Sequence, residues 1–332
     1  MARTERVLVT GANGLLGANV VRWLNGQKRY EAVAMVRRGC NMRALEGLEY
    51  ELFEGMITEF RDLDEIMASC DYVVHCAALT AVQSRSFDEF CQVNVESTRR
   101  ILELCEKHRL KRMIFVSTAN CFTNGTLEKP GDETGGFMPW LRRSPYAYSK
   151  YLAQELVLQA ARDGKVSVLV VAPTFMIGAR DGSPSSGRLL LYCLKAPVVF
   201  YPPGGKSFVD VEHASEAIGS ALEKGRSGEL YMLSGANLTY KAFFREALHL
   251  VGRRKLLFPI PSAFFTLVAK AGKLYQKLGG RRVLLDETAG RLLCLENYFS
   301  NNKARRELEM PETDLKKCLK SSYEWFKKNN YL

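Results

Sequence analysis

The sequence predicts an α/β fold, a parallel sheet covered on both faces by helices, and three observations predict it. In the first half of the 332-residue chain, short β-branched runs alternate with longer helix-like ones. Those runs are apolar throughout, as strands buried on both faces are. The first of them turns into the first helix through a loop with glycines at every third position, Gly11, Gly14 and Gly17.

Taken in order, RVLVT reads as a strand, LLGANVVRWLNG as a helix and EAVAMVR as the second strand. LEYELFEG follows as a third strand, FRDLDEIMASC as a helix and DYVVHCAAL as the fourth strand. A long helical stretch from about Phe87 to His108 precedes the apolar run RMIFVST, a helix opened by Ser144-Pro145, and VSVLVVAP. Strands in this alternation are joined by right-handed crossovers. Beyond Pro173 the pattern loosens into turn-rich pieces such as GARDGSPSSG and YPPGGKS, and the last hundred residues read as mostly helical. The expected organisation is a dinucleotide-binding domain of residues 1–175 plus about 208–234, and a smaller, mostly helical substrate domain of about 176–207 plus 235–332.

Composition excludes several classes. A hydrophobic share of 47% with 25% charged residues is that of a globular chain. No segment approaches the roughly 20 apolar residues that span a bilayer, and the N-terminus has no secretory leader, so a cytoplasmic location is expected. Nine scattered cysteines, none spaced Cys-x-x-Cys, argue against a disulfide framework or a zinc site. The net charge of +11 comes from basic pairs spread along the whole chain, which reads as a solvated surface rather than a nucleic-acid footprint. One stretch stands apart: PSAFFTLVAKAGKLYQKLGGRR has an apolar and a basic face, which suits either packing over a pocket or lying on an anionic membrane.

The glycine loop carries chemistry. A strand turning sharply into a helix needs one glycine for the turn, another for close approach of a pyrophosphate and a third for helix packing. The helix N-terminus then offers unpaired N–H groups and partial positive charge. A dinucleotide is the expected ligand. An acid at the end of the second strand would hold the ribose 2′-hydroxyl of NAD(H); this chain instead has Arg37 and Arg38 there. A guanidinium matches a 2′-phosphate in charge and geometry, so NADP(H) is expected over NAD(H).

SPYAYSKY, residues 144–151, holds three tyrosines and a lysine. On a helix Tyr146 and Lys150 share a face, whereas Tyr148 points away from Tyr146 and Tyr151 does not share the face of Lys150. Ser144 suits an N-cap and Pro145 the first helical position. An ammonium beside a phenol favours the phenolate, so Tyr146 is expected to be acidified by Lys150. The preceding strand ends in Ser117 and Thr118, which face opposite ways, so one hydroxyl alone can address a cofactor.

In these motifs, with HCAAL, Asn94 in QVNVEST, VSTAN, APTFMIG and FVDVEHASEAI, the chain resembles the extended short-chain dehydrogenase/reductase superfamily over about two thirds of its length. The resemblance implies a doubly wound (Rossmann) sheet, a homodimer, and catalysis by Thr118, Tyr146 and Lys150, with Ser117 as the fallback hydroxyl. It places the cofactor against Gly11, Asn13, Gly14, Leu15, Leu16 and Gly17, against Arg37 and Arg38, and against Met56 and Ile57 after the third strand. Cys76, Ala77 and Ala78, then Tyr146 and Lys150, then Pro173 and Thr174 complete that set.

The implied activity is reduction of a carbonyl, with Tyr146 protonating the alkoxide. AMVRRGCNMRALEGLEYELFEG is similar to the corresponding region of dihydroflavonol-reductase-like members, which favours a reductase. A nucleotide-sugar epimerase with tightly held NAD and a non-catalytic cofactor sensor are the alternatives. Ala119-Asn120 stands where dehydratases carry Asp-Glu, which counts against dehydration. Gly55-Met56 replaces the usual Gly-Asp, and Ala172-Pro173 replaces the Arg-Pro of many sugar-nucleotide relatives. Lys206 keeps a cation where those relatives use arginine on a diphosphate; it reads equally as a solvated turn residue. Ser185, Ser186 and Arg188 are further substrate candidates, although capping explains the serines as well. The substrate is thus a small carbonyl compound or a nucleotide sugar, and His75 is read as packing near the cleft.

Overall fold

A computed structural model of the chain describes residues 3–80, 86–277 and 287–332. The first half runs β1 (Glu5–Thr10), α1 (Leu15–Asn25), β2 (Tyr30–Val36), β3 (Glu51–Glu54), α2 (Phe60–Met67), β4 (Tyr72–His75) and α3 (Phe87–Cys91). A π-helical turn, Gln92–Glu96, joins α3 to α4 (Ser97–Lys107), followed by β5 (Arg112–Val116), α5 (Pro145–Arg162) and β6 (Val168–Pro173). Then come β7 (Phe175–Ile177), α6 (Arg188–Lys195), β8 (Val199–Tyr201), β9 (Gly205–Asp210), α7 (Val211–Ala221) and β10 (Leu230–Leu233). The chain ends with β11 (Ala236–Thr239), α8 (Tyr240–Leu250), β12 (Leu257–Pro259), α9 (Ser262–Lys277), α10 (Glu287–Cys294), β13 (Glu296–Asn297), α11 (Asn302–Leu308) and α12 (Leu315–Lys328).

Seven strands form one parallel sheet in the order β10-β6-β5-β4-β1-β2-β3. Strand alternation divides its side chains between two buried layers. Val7 and Val9 face α1, α7 and α11, whereas Leu8 between them faces α2, α4 and α5. Both faces are therefore dry, which is why the strands are apolar without alternation. The doubly wound fold expected from the sequence is the fold observed.

The C-terminal part is mostly helical, as expected, with two small sheets that short strands of weak periodicity did not announce. β9 pairs with β7, β11 and β13, and β8 pairs with β12. Phe208, Phe243 and Phe244 anchor the core here, and α12 closes it with Leu319 and Phe326. Of the amphipathic stretch over 261–282, α9 covers the first part; residues 278–282, Arg281 and Arg282 among them, lie outside the described residues.

Candidate functional site

The strand order reverses between β1 and β4, which opens a crevice at the carboxyl edge of the sheet. The glycine loop leaves β1 into that crevice. Gly11 has φ +66°, and a Cβ on it would stand 2.9 Å from the Ala77 Cα on the facing loop. At Gly17 a Cβ would lie 2.4 Å from the Gly11 carbonyl oxygen, so only glycine lets α1 pack back on the loop. Gly14 is the exposed N-cap of α1. No side chain caps that helix and its first turn holds no acid, so the N–H groups of Leu15, Leu16 and Gly17 are left for an anion. Leu15 and Leu16 anchor the turn by burying their side chains in the core. These features fit a dinucleotide diphosphate.

Arg37 and Arg38 follow β2 directly and are exposed. The loop that carries them is laced to the glycine loop: Ala12 N–H donates to the Met35 carbonyl at 3.2 Å, and Asn13 Nδ2 donates to the Asn41 carbonyl at 3.2 Å. Met56, 45% exposed, and the half-buried Ile57 stand past β3. Cys76, Ala77 and Ala78 follow β4; Pro173 ends β6, and Thr174 is fixed by its N–H to the Leu233 carbonyl at 3.0 Å. Every one of these positions lies at the carboxyl end of a strand of the large sheet or just beyond it.

A buried relay holds the β1 and β4 ends together. Thr10 Oγ1 accepts from the Ala77 N–H at 3.1 Å, so its own proton goes to His75 Nδ1 at 2.8 Å. Thr98 donates to the Asn94 carbonyl at 2.7 Å, so His75 Nε2 donates to Thr98 Oγ1 at 3.1 Å. Burial holds the His75 pKa down at about 3, the neutral imidazole this chain of donors requires. His75 is a strut, in line with the packing role read from the sequence. Asn94, in the π-helical turn, bonds both the N–H and the carbonyl of Leu79 and donates to Ser149 Oγ at 2.9 Å, which ties α5 to the loop after β4.

On α5 the three tyrosines separate. Ser144 accepts from the Ala147 N–H as N-cap, with Pro145 at the first position. Tyr148 stacks on Phe87 at 5.4 Å and Tyr151 on Phe137 at 4.4 Å, so both are ring packing. Tyr146 is instead half-buried at the crevice and interacts with the Thr118 hydroxyl. Ser117 faces the other way: its hydroxyl is buried and donates to Gln154 Oε1 at 2.7 Å. Strand alternation carries out the choice the sequence left open.

The electrostatics differ from expectation. Lys150 does not acidify Tyr146. Its ammonium donates to the Val116 carbonyl at 2.7 Å and lies 4.1 Å from the Phe115 ring centroid. Burial pushes the Tyr146 phenol up to about 12, with the Thr118 contact pulling the other way. Burial likewise brings Lys150 down to about 8. The i, i+4 spacing is as read, but the β5 carbonyl takes the amine.

Thr118 opens on a cavity of about 90 Å³ lined by Asn120, Thr174, Phe175, Lys206, Asn297 and Phe299 among others. Lys206 is a half-buried residue of β9, not a solvated turn residue. It has no hydrogen-bond or ion-pair partner among the described residues, and burial lowers its pKa to about 8. Asn297 stands opposite it in the β9–β13 register. The sequence reading missed Asn120, Asn297 and Phe299; nothing in their local spacing announces them. Ser185, Ser186 and Arg188 do not line this cavity. The Ser185 N–H and hydroxyl both donate to Asp181, the Arg188 Nε donates to the Pro184 carbonyl, and the buried Ser186 hydroxyl has no partner. Among the described residues no group of acidic, histidine or cysteine side chains is placed to hold a metal.

Comparison with known proteins agrees with this geometry. The NAD dependent epimerase/dehydratase family model matches residues 7–233. A Synechocystis protein that carries the name dihydroflavonol 4-reductase is 25% identical, over 100% of this chain and 97% of its own. A ketoreductase of a farnesyl dihydroquinoline oxide from Stigmatella aurantiaca is 29% identical over 91% of each chain. The solved structure of a nucleoside-diphosphate-sugar epimerase from Pseudomonas aeruginosa superposes with a TM-score of 0.80 at 25% identity, covering 99% of this chain and 100% of that one.

Proposed function

The chain belongs to the NAD-dependent epimerase/dehydratase family of NAD(P)-dependent oxidoreductases, and from that premise we propose that it is an NADP(H)-dependent reductase of a carbonyl compound. The observation that carries the cofactor half is the pair Arg37-Arg38, exposed at the end of β2 on a loop bonded to the glycine loop. Two guanidiniums there favour a ribose 2′-phosphate, and the turn directly after β2 carries no acid to prefer a bare 2′-hydroxyl.

The chemical half rests on Thr118, Tyr146 and Lys150. A bound reduced nicotinamide supplies the hydride. Thr118 and Tyr146 hold the carbonyl oxygen from two hydroxyls, so negative charge developing there meets donors already in place. Tyr146, kept protonated by burial, gives its proton to the alkoxide, which is far more basic than a phenolate. Lys150 spends one ammonium hydrogen on the Val116 carbonyl and has others for ribose hydroxyls. Gly11 to Gly17 hold the diphosphate through backbone N–H groups.

The second reading, an epimerase that keeps NAD and acts on a nucleotide sugar, is favoured by one observation, the unpaired Lys206 ammonium at the cavity wall. One experiment separates the two. Purified protein is inspected for copurified NAD and titrated with NADPH and NADH, alongside Arg37→Asp/Arg38→Asp. The reductase reading expects tighter NADPH binding, reduced by about tenfold or more in the double variant. Tighter NADH binding that the variant leaves unchanged defeats it.

A further inference from the structure

Half of the large apolar side chains that stand exposed on the described chain belong to the substrate region: Tyr192, Phe200, Leu256, Phe258, Phe264 and Leu267. They come from four elements, α6, β8, β12 and α9, with Leu256 directly before β12. Tyr192 on α6 brackets Phe200, accepting from its N–H at 2.9 Å and donating to its carbonyl at 3.2 Å. Phe200 and Phe258 are cross-strand partners in β8 and β12, with ring centroids 6.0 Å apart. β12 then runs through Pro261 into α9, where the Phe264 N–H closes the first turn on the Pro261 carbonyl. On α9, Phe265 and Ala269 are buried against the protein while Phe264 and Leu267 are 49% and 66% exposed. A helix apolar on both sides has a second face to cover.

The two chain segments that supply this patch carry charge of one sign. Residues 182–209 and 247–272, which supply all six side chains, contain no Asp or Glu. Lys195, Arg253, Arg254 and Lys270 are exposed among them, and Lys195, Arg254 and Lys270 have no ion-pair partner among the described residues. Lys255, by contrast, is spent internally on the carbonyls of Cys193, Leu194 and Ala196 at the end of α6. Two copies of the patch brought face to face would set cations against cations with no acid to offset them. No helix among the described residues is long and apolar enough to cross a membrane.

We propose that this face, β8 and β12 with the outer side of α9, docks on an anionic lipid surface, its rings and Leu267 entering the interface and the basic rim meeting headgroups. The proposal does not depend on which reaction the crevice catalyses. Behind α9 lies a cavity of about 370 Å³, walled by Phe265, Ala269, Glu287, Gly290, Arg291 and Cys294 among others, which docking would hold next to the lipid.

The test is flotation of the full chain with vesicles of neutral lipid and with vesicles containing about 30% anionic lipid. Wild type should float with the anionic vesicles and be released by about 0.5 M salt. Leu267→Asp with Phe258→Asp should lower binding by about tenfold or more, and Arg254→Glu alone, which breaks no described contact, by about fivefold. NADPH binding measured on each variant confirms that it is folded. Wild type left in the soluble fraction with anionic vesicles overturns the proposal. So does a Leu267→Asp protein that floats unchanged but sediments as a smaller species than wild type, because the face would then join copies of this chain.

Discussion

Lys206→Met should make the protein more stable, by an amount that pH controls. The Lys206 amine is lowered from 10.5 to about 8 by burial alone, with no partner to offset the loss of water. A displacement of that size corresponds to about 3 kcal/mol at about 1.4 kcal/mol per tenfold in proton affinity, and partial exposure of the side chain reduces it to about 2 kcal/mol. Methionine keeps the length of the chain and removes the charge. Below pH 8 the folded and unfolded chains both carry the proton, so the penalty is full. Between pH 8 and 10.5 only the unfolded chain carries it, and the folded state gains as pH rises. Above 10.5 the penalty is gone. For 332 residues an unfolding entropy of roughly 0.7 kcal/mol/K turns 2 kcal/mol into a rise of about 3 °C in Tm at pH 7. The assay is thermal unfolding of both proteins at pH 7 and at about pH 10.5. An unchanged or lower Tm at pH 7 would show that the ammonium is solvated or paired. A gain that persists undiminished at the higher pH would assign it to apolar packing instead.

Three further outcomes follow from the same geometry. Tyr146→Phe should leave NADPH affinity within about twofold and cut turnover by about a hundredfold or more, measured by NADPH oxidation once a substrate is in hand; unchanged turnover removes the proton donor. Gly11→Ala should destabilise the fold and weaken dinucleotide binding together, because the new Cβ meets Ala77 at 2.9 Å and the backbone sits at φ +66°; a fluorescence titration that finds wild-type affinity refutes the close-approach reading. Thr118→Val and Ser117→Ala should separate cleanly. The first should lower turnover with little change in Tm, while the second should lower Tm by roughly a degree or two through the lost Gln154 bond and leave kcat alone.

The parts of the site legible in the sequence are those whose logic is local. Gly11, Gly14 and Gly17 announce their loop by spacing, and at Gly11 and Gly17 the close approach and the helix packing each require a missing Cβ. Tyr146 could be picked from three tyrosines because helical rotation alone sets Tyr148 and Tyr151 aside, and their stacking on Phe87 and Phe137 agrees. What failed was the destination of Lys150. Spacing sets which face an amine leaves from, not which acceptor it meets, and the Val116 carbonyl belongs to a strand whose position relative to α5 no local pattern encodes. The same holds for the cavity wall. Lys206 faces Asn297 because β13 docks in parallel on β9, a pairing of two residues from the far end of the chain.

The titratable groups of the crevice share one bias. Burial drives the Tyr146 phenol and the His75 imidazole toward their neutral forms, and His75 is locked between two threonines. Lys150 and Lys206, each lowered by burial to about 8, stand at the crevice and its cavity, and among the described residues no acid lines that cavity. Addition of hydride to a carbonyl, as proposed, would place negative charge on oxygen beside Thr118 and Tyr146, where burial favours the protonated phenol that can donate. Removal of hydride from an alcohol asks the opposite of the same ring, a phenolate ready to accept, and that form is the one burial disfavours. Burial thus favours the protonated ring that the proposed reduction would use.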